Sequence, residues 1–95
     1  MFEVRQTPEF AEWLRGLKDG AAVKKIAQRI VRLQAGLMGD VKFFGGIGEL
    51  RIAFGPGYRV YFVKRSNVVI ILLWGGDKSS QKHDIQKAVA MAKEV

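Results

Sequence analysis

The chain has no cysteine and only one histidine among its 95 residues. Without thiols it can build neither a disulfide framework nor a thiolate metal site, which fits a reducing compartment. A single histidine, with no H-E-x-x-H segment and no paired-carboxylate spacing, argues against metal catalysis, and no cofactor is expected. Long hydrophobic runs are missing as well. The longest, Val68 to Trp74, is far short of the about 20 apolar residues that a spanning helix needs. The opening MFEVRQTPEF lacks the basic-then-apolar pattern of an export signal, so the expected location is the cytoplasm. Acidic residues are scarce: 9 stand against 16 lysines and arginines, a net charge of +7. That balance favours a polyanionic partner. Nucleic acid comes before membrane, because no helix joins a broad apolar face to a continuous cationic one.

Hydrophobic residues make up 48% of the chain, enough for a real core in one domain spanning residues 1–95. Phe2 to Arg5 alternates and reads as a short strand. Thr7-Pro8-Glu9 is a helix start, with a capping hydroxyl, proline at the first helical position and an acid in the first turn. Phe10, Trp13, Leu14 and Leu17 form its apolar stripe, and Asp19-Gly20 breaks it. A second helix turns Val23, Ile26, Ala27, Ile30 and Leu33 inward and Lys24, Lys25, Arg29 and Arg32 outward, ending at Gly36. The basic outer face could touch RNA, but such runs are more often simply solvated. Leu37 to Gly48 holds four glycines and reads as a loop.

The stretch from Glu49 to Asp84 carries the organisation. Leu50, Ile52 and Phe54 alternate with Glu49, Arg51 and Ala53, the period of a half-buried strand. After Gly55-Pro56-Gly57, Tyr58, Val60 and Phe62 alternate with Arg59, Tyr61 and Val63. A three-residue loop pairs Phe54 with Tyr58, Ile52 with Val60 and Leu50 with Phe62, and puts these six side chains on one face. A two-residue loop would set Phe54 against Arg59 and spoil the match. The chosen register sets Arg51 opposite Tyr61, with Arg59 beside them on the outward face. Val68 to Trp74 has no polar residue on either face and reads as a central strand covered on both sides, with the first strand beside it. Gly75 to Ser80 then leads into a helix with Ile85, Ala88, Val89 and Ala92 inward and Ser79 or Ser80 as N-cap. The fold class is α+β, in the order β-α-α-β-β-β-α, with the helical hairpin on a small, mostly antiparallel sheet. Trp13, Trp74 and Tyr58 read as core.

The start of the last helix is a reasonable phosphate site, with free N–H groups and Lys78, Lys82 and His83 close by. A Ser80-His83-Asp84 triad is formally available, but one helical turn gives no nucleophile elbow and no oxyanion hole. Cleavage of RNA asks for less. The 2′-hydroxyl attacks its own phosphate, so the substrate brings the nucleophile. The protein orients the chain, moves protons and stabilises added negative charge. Arg51, Arg59 and Lys78 supply charge; Tyr61, His83 or a lysine could move protons. The bland alternatives are a surface ion pair of Arg59 with Glu49 or Asp77 and an exposed His83 of no consequence.

The run ELRI followed by GYRVYF, then an apolar strand ending in GGDKSSQKHDI, resembles the RelE/ParE superfamily of type II toxins. It is most similar to the HigB-like, phage Gp49-like "addiction module killer" branch. The resemblance covers nearly the whole chain and implies a RelE-like fold. It also implies a metal-free, ribosome-associated endoribonuclease that cuts mRNA and halts translation. A neighbouring gene would encode its antitoxin, in this branch often a helix-turn-helix DNA binder. Carried onto this chain, Arg59 of GYRVYF binds the scissile phosphate, Arg51 of ELR is a basic catalytic group, and Lys78 is the basic residue after the last strand. His83 lies where related toxins carry a proton-transfer residue. Tyr61, Lys42, Lys82 and Asp84 are the expected RNA contacts. The chain departs from RelE-like members in having Ile52 and Ala53 where a second strand lysine would stand, and in lacking a C-terminal tyrosine. ParE-type members share the fold, poison DNA gyrase and cut no RNA.

Overall fold

Local chemistry starts each helix. In the computed structural model, which describes residues 1–95, strand β1 (Glu3–Gln6) enters helix α1 (Pro8–Gly16) through Thr7. The Thr7 hydroxyl accepts from the Phe10 N–H at 3.0 Å and donates to the Leu73 carbonyl at 2.8 Å. One side chain therefore caps the helix and ties it to the apolar strand. Asp19 caps α2 (Gly20–Gln34), accepting from the N–H groups of Ala21 and Ala22 at 3.0 and 3.3 Å. Strands β2 (Val41–Phe44), β3 (Ile47–Ile52), β4 (Tyr58–Arg65) and β5 (Val69–Asp77) follow, then a 3₁₀ turn at Lys78–Ser80 and helix α3 (Gln81–Ala92).

The five strands lie in the order β1-β5-β4-β3-β2. β1 runs parallel to β5 and every other pair is antiparallel. The class is α+β, with the first strand beside the apolar one as expected. The expected loop at 37–48 is corrected: it contains an additional strand. Val41 to Phe44 pairs with Ile47 to Leu50 around Gly45-Gly46, both at positive φ. Two positive-φ residues are what the tightest hairpin turn requires, so these glycines close a strand pair rather than loosen a loop.

The β3–β4 register is corrected as well. Ile52 faces Tyr58, Leu50 faces Val60 and Arg51 faces Arg59. The loop is Ala53–Gly57. The Phe54 N–H bonds to Ile52 O at 2.9 Å and the Gly57 N–H bonds to Phe54 O at 3.0 Å. These two tight turns use backbone groups that a three-residue loop would have put in the ladder. The slip is two residues, so face membership survives.

The sheet has a core on each face. Phe10, Ile26, Leu33, Leu50, Ile52, Tyr58, Val60, Phe62, Ile70 and Leu72 are buried under the helical hairpin, with Phe54 packed against them. Each large apolar side chain fully buried here contributes about 1.5–3 kcal/mol of transfer free energy. On α2, Ala22, Ile26 and Leu33 are the buried positions. Two assignments on that helix change: Ala27 is exposed, and Arg29 is half-buried and donates to the carbonyls of Arg51 (2.6 Å) and Met38 (3.2 Å). On the other face α3 covers Ile47, Tyr61, Val63 and Leu73 with Ala88, flanked by Ile85 and Val89. A β-bulge aligns Tyr61 with Trp74 but Phe62 with Leu72. Two successive residues, Leu73 and Trp74, thereby pack on the α3 side.

Candidate functional site

The polar side chains of the sheet gather on the α3 face in two rows. Strand pairing sets Lys42, Glu49, Tyr61 and Trp74 in one row, and Arg51, Arg59 and Gly76 in the next. Helix α3 lies over the first row. Gln81 on its first turn donates to Glu49 Oε2 at 2.8 Å, and the Trp74 indole N–H donates to Asp84 Oδ1 at 2.9 Å. The second row stays partly open beside the β3–β4 loop: Arg51 and Arg59 are both half-exposed.

Arg59 is oriented by its own loop. Its Nη1 donates to Gly57 O at 2.7 Å, while its buried Nε has no protein partner. A methyl group on Gly57 would lie 2.9 Å from that Nη1 and 3.5 Å from Lys78 Cβ. The loop, Arg59 and Lys78 therefore converge, with glycine allowing the close approach at a φ of +79°. Asp77, next in the chain, accepts from the Ser79 N–H at 2.8 Å and from its hydroxyl. The Ser79 hydroxyl bond is the main reason its carboxyl is held below the usual carboxylate range; backbone N–H groups and the charge of Arg59 add to it.

Three of the expected site residues, Arg51, Arg59 and Lys78, thus share one end of one face. Lys42 is on the same face at the β2 edge, exposed, with its ammonium 5.8 Å from the Phe44 ring centre. Lys82 and His83 are exposed on the first turn of α3, and His83 Nδ1 lies 3.6 Å from Asp84 Oδ1. Two expected RNA contacts are corrected. Tyr61 is fully buried beneath α3. Burial, then the negative charges of Glu49 and Asp84, pushes its phenol far above the ordinary range, with Arg59 opposing, so it is a neutral hydroxyl at every ordinary pH. Asp84 is buried too, with its carboxylate resting on the backbone of Gly76, where a methyl group would lie 1.9 Å from Oδ2. Ser80 also differs from expectation. Its hydroxyl donates to Asp84 and makes no cap bond to α3, while Asp77 caps the preceding turn.

Sequence reading took Glu49 only as a surface partner for Arg59; it is completely buried and pairs with Arg51 instead, and its second partner, Gln81, was missed. The signal was there. Glu49 alternates onto the face of Arg51 two positions away and lacks any reason to be buried alone. A separate open groove of about 730 Å³ lies on the opposite sheet face, between α2 and the β3–β4 loop. Lys24, Lys25 and Arg32 edge it over a floor that includes Ile52 and Phe54. No helix is long and apolar enough to cross a membrane.

The arrangement defines a small α+β protein with an arginine pair displayed at one end of its sheet. The family model described as "Phage derived protein Gp49-like" matches residues 12–94, and the chain belongs to that family. An uncharacterized protein of Haemophilus influenzae is 48% identical over 94 residues, covering 98% of this chain and 95% of the relative. The solution structure of a conserved hypothetical protein from Helicobacter pylori superposes with a TM-score of 0.54 at 17% identity. It covers 83% of this chain and 97% of that one, a likeness of fold alone.

Proposed function

We propose that this protein is the toxin of a type II toxin–antitoxin system, of the RelE/ParE superfamily, and that it acts as an mRNA interferase in the cytoplasm. The Gp49-like family is related in general to toxin–antitoxin systems. The single observation that supports the nuclease reading is the Arg51–Arg59 pair. The two arginines are direct partners across a ladder, on one face and half-exposed, with Lys78 beside the loop that holds Arg59. Like charges directly opposite on a sheet repel, so the arrangement suits a polyanion that comes between them.

In the proposed reaction the RNA 2′-hydroxyl attacks the adjacent phosphorus and the bond to the 5′ oxygen breaks. A general base takes the 2′-hydroxyl proton and the departing 5′ oxygen gains one. Arg59 grips the phosphate through its planar fork, and Arg51 and Lys78 stabilise the charge that grows on its oxygens. His83, exposed on the first turn of α3, is the candidate for proton transfer. The partners are mRNA, the ribosome, and an antitoxin encoded next door that is itself a helix-turn-helix DNA binder. The antitoxin covers the arginine end or displaces α3.

The test is induction of the chain with and without the neighbouring gene, followed by growth curves and primer extension on cellular mRNA. New mRNA 5′ ends and growth arrest, both relieved by the neighbour, are expected. Harmless expression with no small partner recovered would end the toxin reading. The burial of Tyr61 favours one second reading, a ParE-like toxin acting on DNA gyrase, because it leaves the arginine end with few proton-transfer groups. Intact mRNA with broken chromosomal DNA would move the assignment there.

A further inference from the structure

We propose that Glu49 is the positioning residue of the arginine end: it fixes Arg51 so that both terminal nitrogens of its guanidinium point to RNA phosphate. The inference rests on the proposed function for its ligand and on geometry for its mechanism. A carboxylate with no exposed surface is costly to bury unless it is paired and hydrogen-bonded. Glu49 is both. Oε1 accepts from Arg51 Nε at 3.0 Å, and Oε2 accepts from Gln81 Nε2 at 2.8 Å. Each oxygen holds a different element, β3 through Arg51 and α3 through Gln81.

The choice of nitrogen matters. An arginine held by its two Nη groups would spend its fork on the protein. Here the internal Nε is taken, and the Nη groups carry no protein acceptor. The Arg51 side chain is 34% exposed while its carboxylate partner is not exposed at all. Its backbone is held equally firmly. The Arg51 N–H bonds to Asp40 O at 2.9 Å, and its carbonyl accepts from Arg29 at 2.6 Å. The guanidinium is thus anchored at the root and at Nε, with the fork free. Glu49 also sets its carboxylate against Arg51 alone, which offsets part of the repulsion across the Arg51–Arg59 pair while leaving the Arg51 fork exposed.

Glu49→Gln keeps size and an accepting oxygen but removes the charge. Binding of a short RNA carrying a single non-cleavable 2′-deoxy residue reads the effect without catalysis. Glu49→Gln should weaken that binding about 5- to 10-fold, the difference between a charge-assisted and a neutral hydrogen bond to a positioning partner. In an Arg51→Ala background the same change should have almost no effect. Equal loss in both backgrounds would show that Glu49 acts through the fold, and no loss in either would remove it from the site. Gln81→Ala should leave affinity within about twofold if orienting Arg51 is the function. Nitrogen-15 NMR of the unmutated protein tests the brace even where the variant does not fold. The Arg51 Nε–H signal, assigned by its disappearance in Arg51→Lys, should be protected from exchange. Exchange as fast as that of an exposed arginine overturns the brace. An unmutated protein that shows the protected signal but binds no RNA overturns the proposed function instead.

Discussion

Arg51 and Arg59 are direct partners across the β3–β4 ladder, each with its guanidinium on the face that α3 only partly covers. Cross-strand like charges destabilise a sheet by a few tenths of a kcal/mol up to about 1. The fold keeps the pair by setting Glu49 against Arg51 and pairing Arg59 with Gly76, which brings no side chain of its own and carries the Asp84 carboxylate above it.

Arg59→Ala should lower RNA cleavage by roughly 30- to 1,000-fold, the loss of about 2–4 kcal/mol of stabilisation at the phosphate. Arg59→Lys should recover only part, because an ammonium cannot hold two oxygens in one plane. Stability should fall by about 1 kcal/mol in the alanine variant through the lost bond to Gly57 O. Single-turnover cleavage and thermal melts separate the two effects. Full cleavage by a folded Arg59→Ala protein would remove Arg59 from the site.

Tyr61 gives a pH signature. Its phenol is raised by burial first and by Glu49 and Asp84 next. A folded-state pKa above the unfolded one means that stability is complete below the unfolded value, about 10. It is then lost as pH rises further toward the folded value. Urea midpoints measured across the alkaline range should decline beyond pH about 10 in the unmutated protein. Tyr61→Phe should flatten that decline and leave RNA binding unchanged. A weakened RNA affinity in Tyr61→Phe would return the phenol to the site as a ligand-facing donor.

Gly76→Ala should destabilise the fold by about 1–3 kcal/mol. The new methyl would meet Asp84 Oδ2 at 1.9 Å and Ser80 Oγ at 3.0 Å, both held by other bonds. For a domain of this size each lost kcal/mol lowers Tm by about 4–8 °C. An unchanged melting temperature would mean that the Asp84–Trp74 bond is not maintained in solution.

What could be read from residues alone was set by period, and what could not was set by position in space. Alternation in ELRIAF and YRVYFV assigns each side chain to a face, and that assignment survives a register shift of two. The same alternation cannot say what lies above a face. Arg51, Arg59 and Tyr61 read alike as outward, yet α3 buries Tyr61 and leaves the arginines partly open. The bulge that turns Trp74 toward Asp84 has no local signature in an unbroken apolar run. Gly45-Gly46 shows the converse. The glycines were visible, but a hairpin turn and a loop share that composition, and only the flanking Val41-Lys42-Phe43-Phe44 pairing decides between them. The Arg51, Arg59 and Lys78 cluster was legible because two strands and one turn bring it together through sequence-near elements. The Glu49–Gln81 contact joins residues 32 apart in sequence and depends on where α3 docks.

Salt dependence can locate the RNA surface, because the chain carries two separate basic regions. One is the arginine end with Arg51, Arg59 and Lys78; the other is the rim of Lys24, Lys25 and Arg32 on the opposite sheet face. Each phosphate neutralised on single-stranded RNA contributes about 0.7 to the slope of log affinity against log salt. If the arginine end alone holds RNA, its three cations predict a slope of about −2. Replacing Arg51 with Gln should bring that slope toward about −1.4, the value for two contacts. Replacing Lys24, Lys25 and Arg32 together should leave it unchanged. Fluorescence anisotropy of a labelled non-cleavable RNA across a salt series measures all three proteins. A slope that drops only in the α2 variant would place RNA in the groove and leave the arginine pair free for another partner. A slope that drops in both would describe one strand that passes around the end of the sheet, from the arginine pair to α2, past the carbonyl of Arg51 that Arg29 holds.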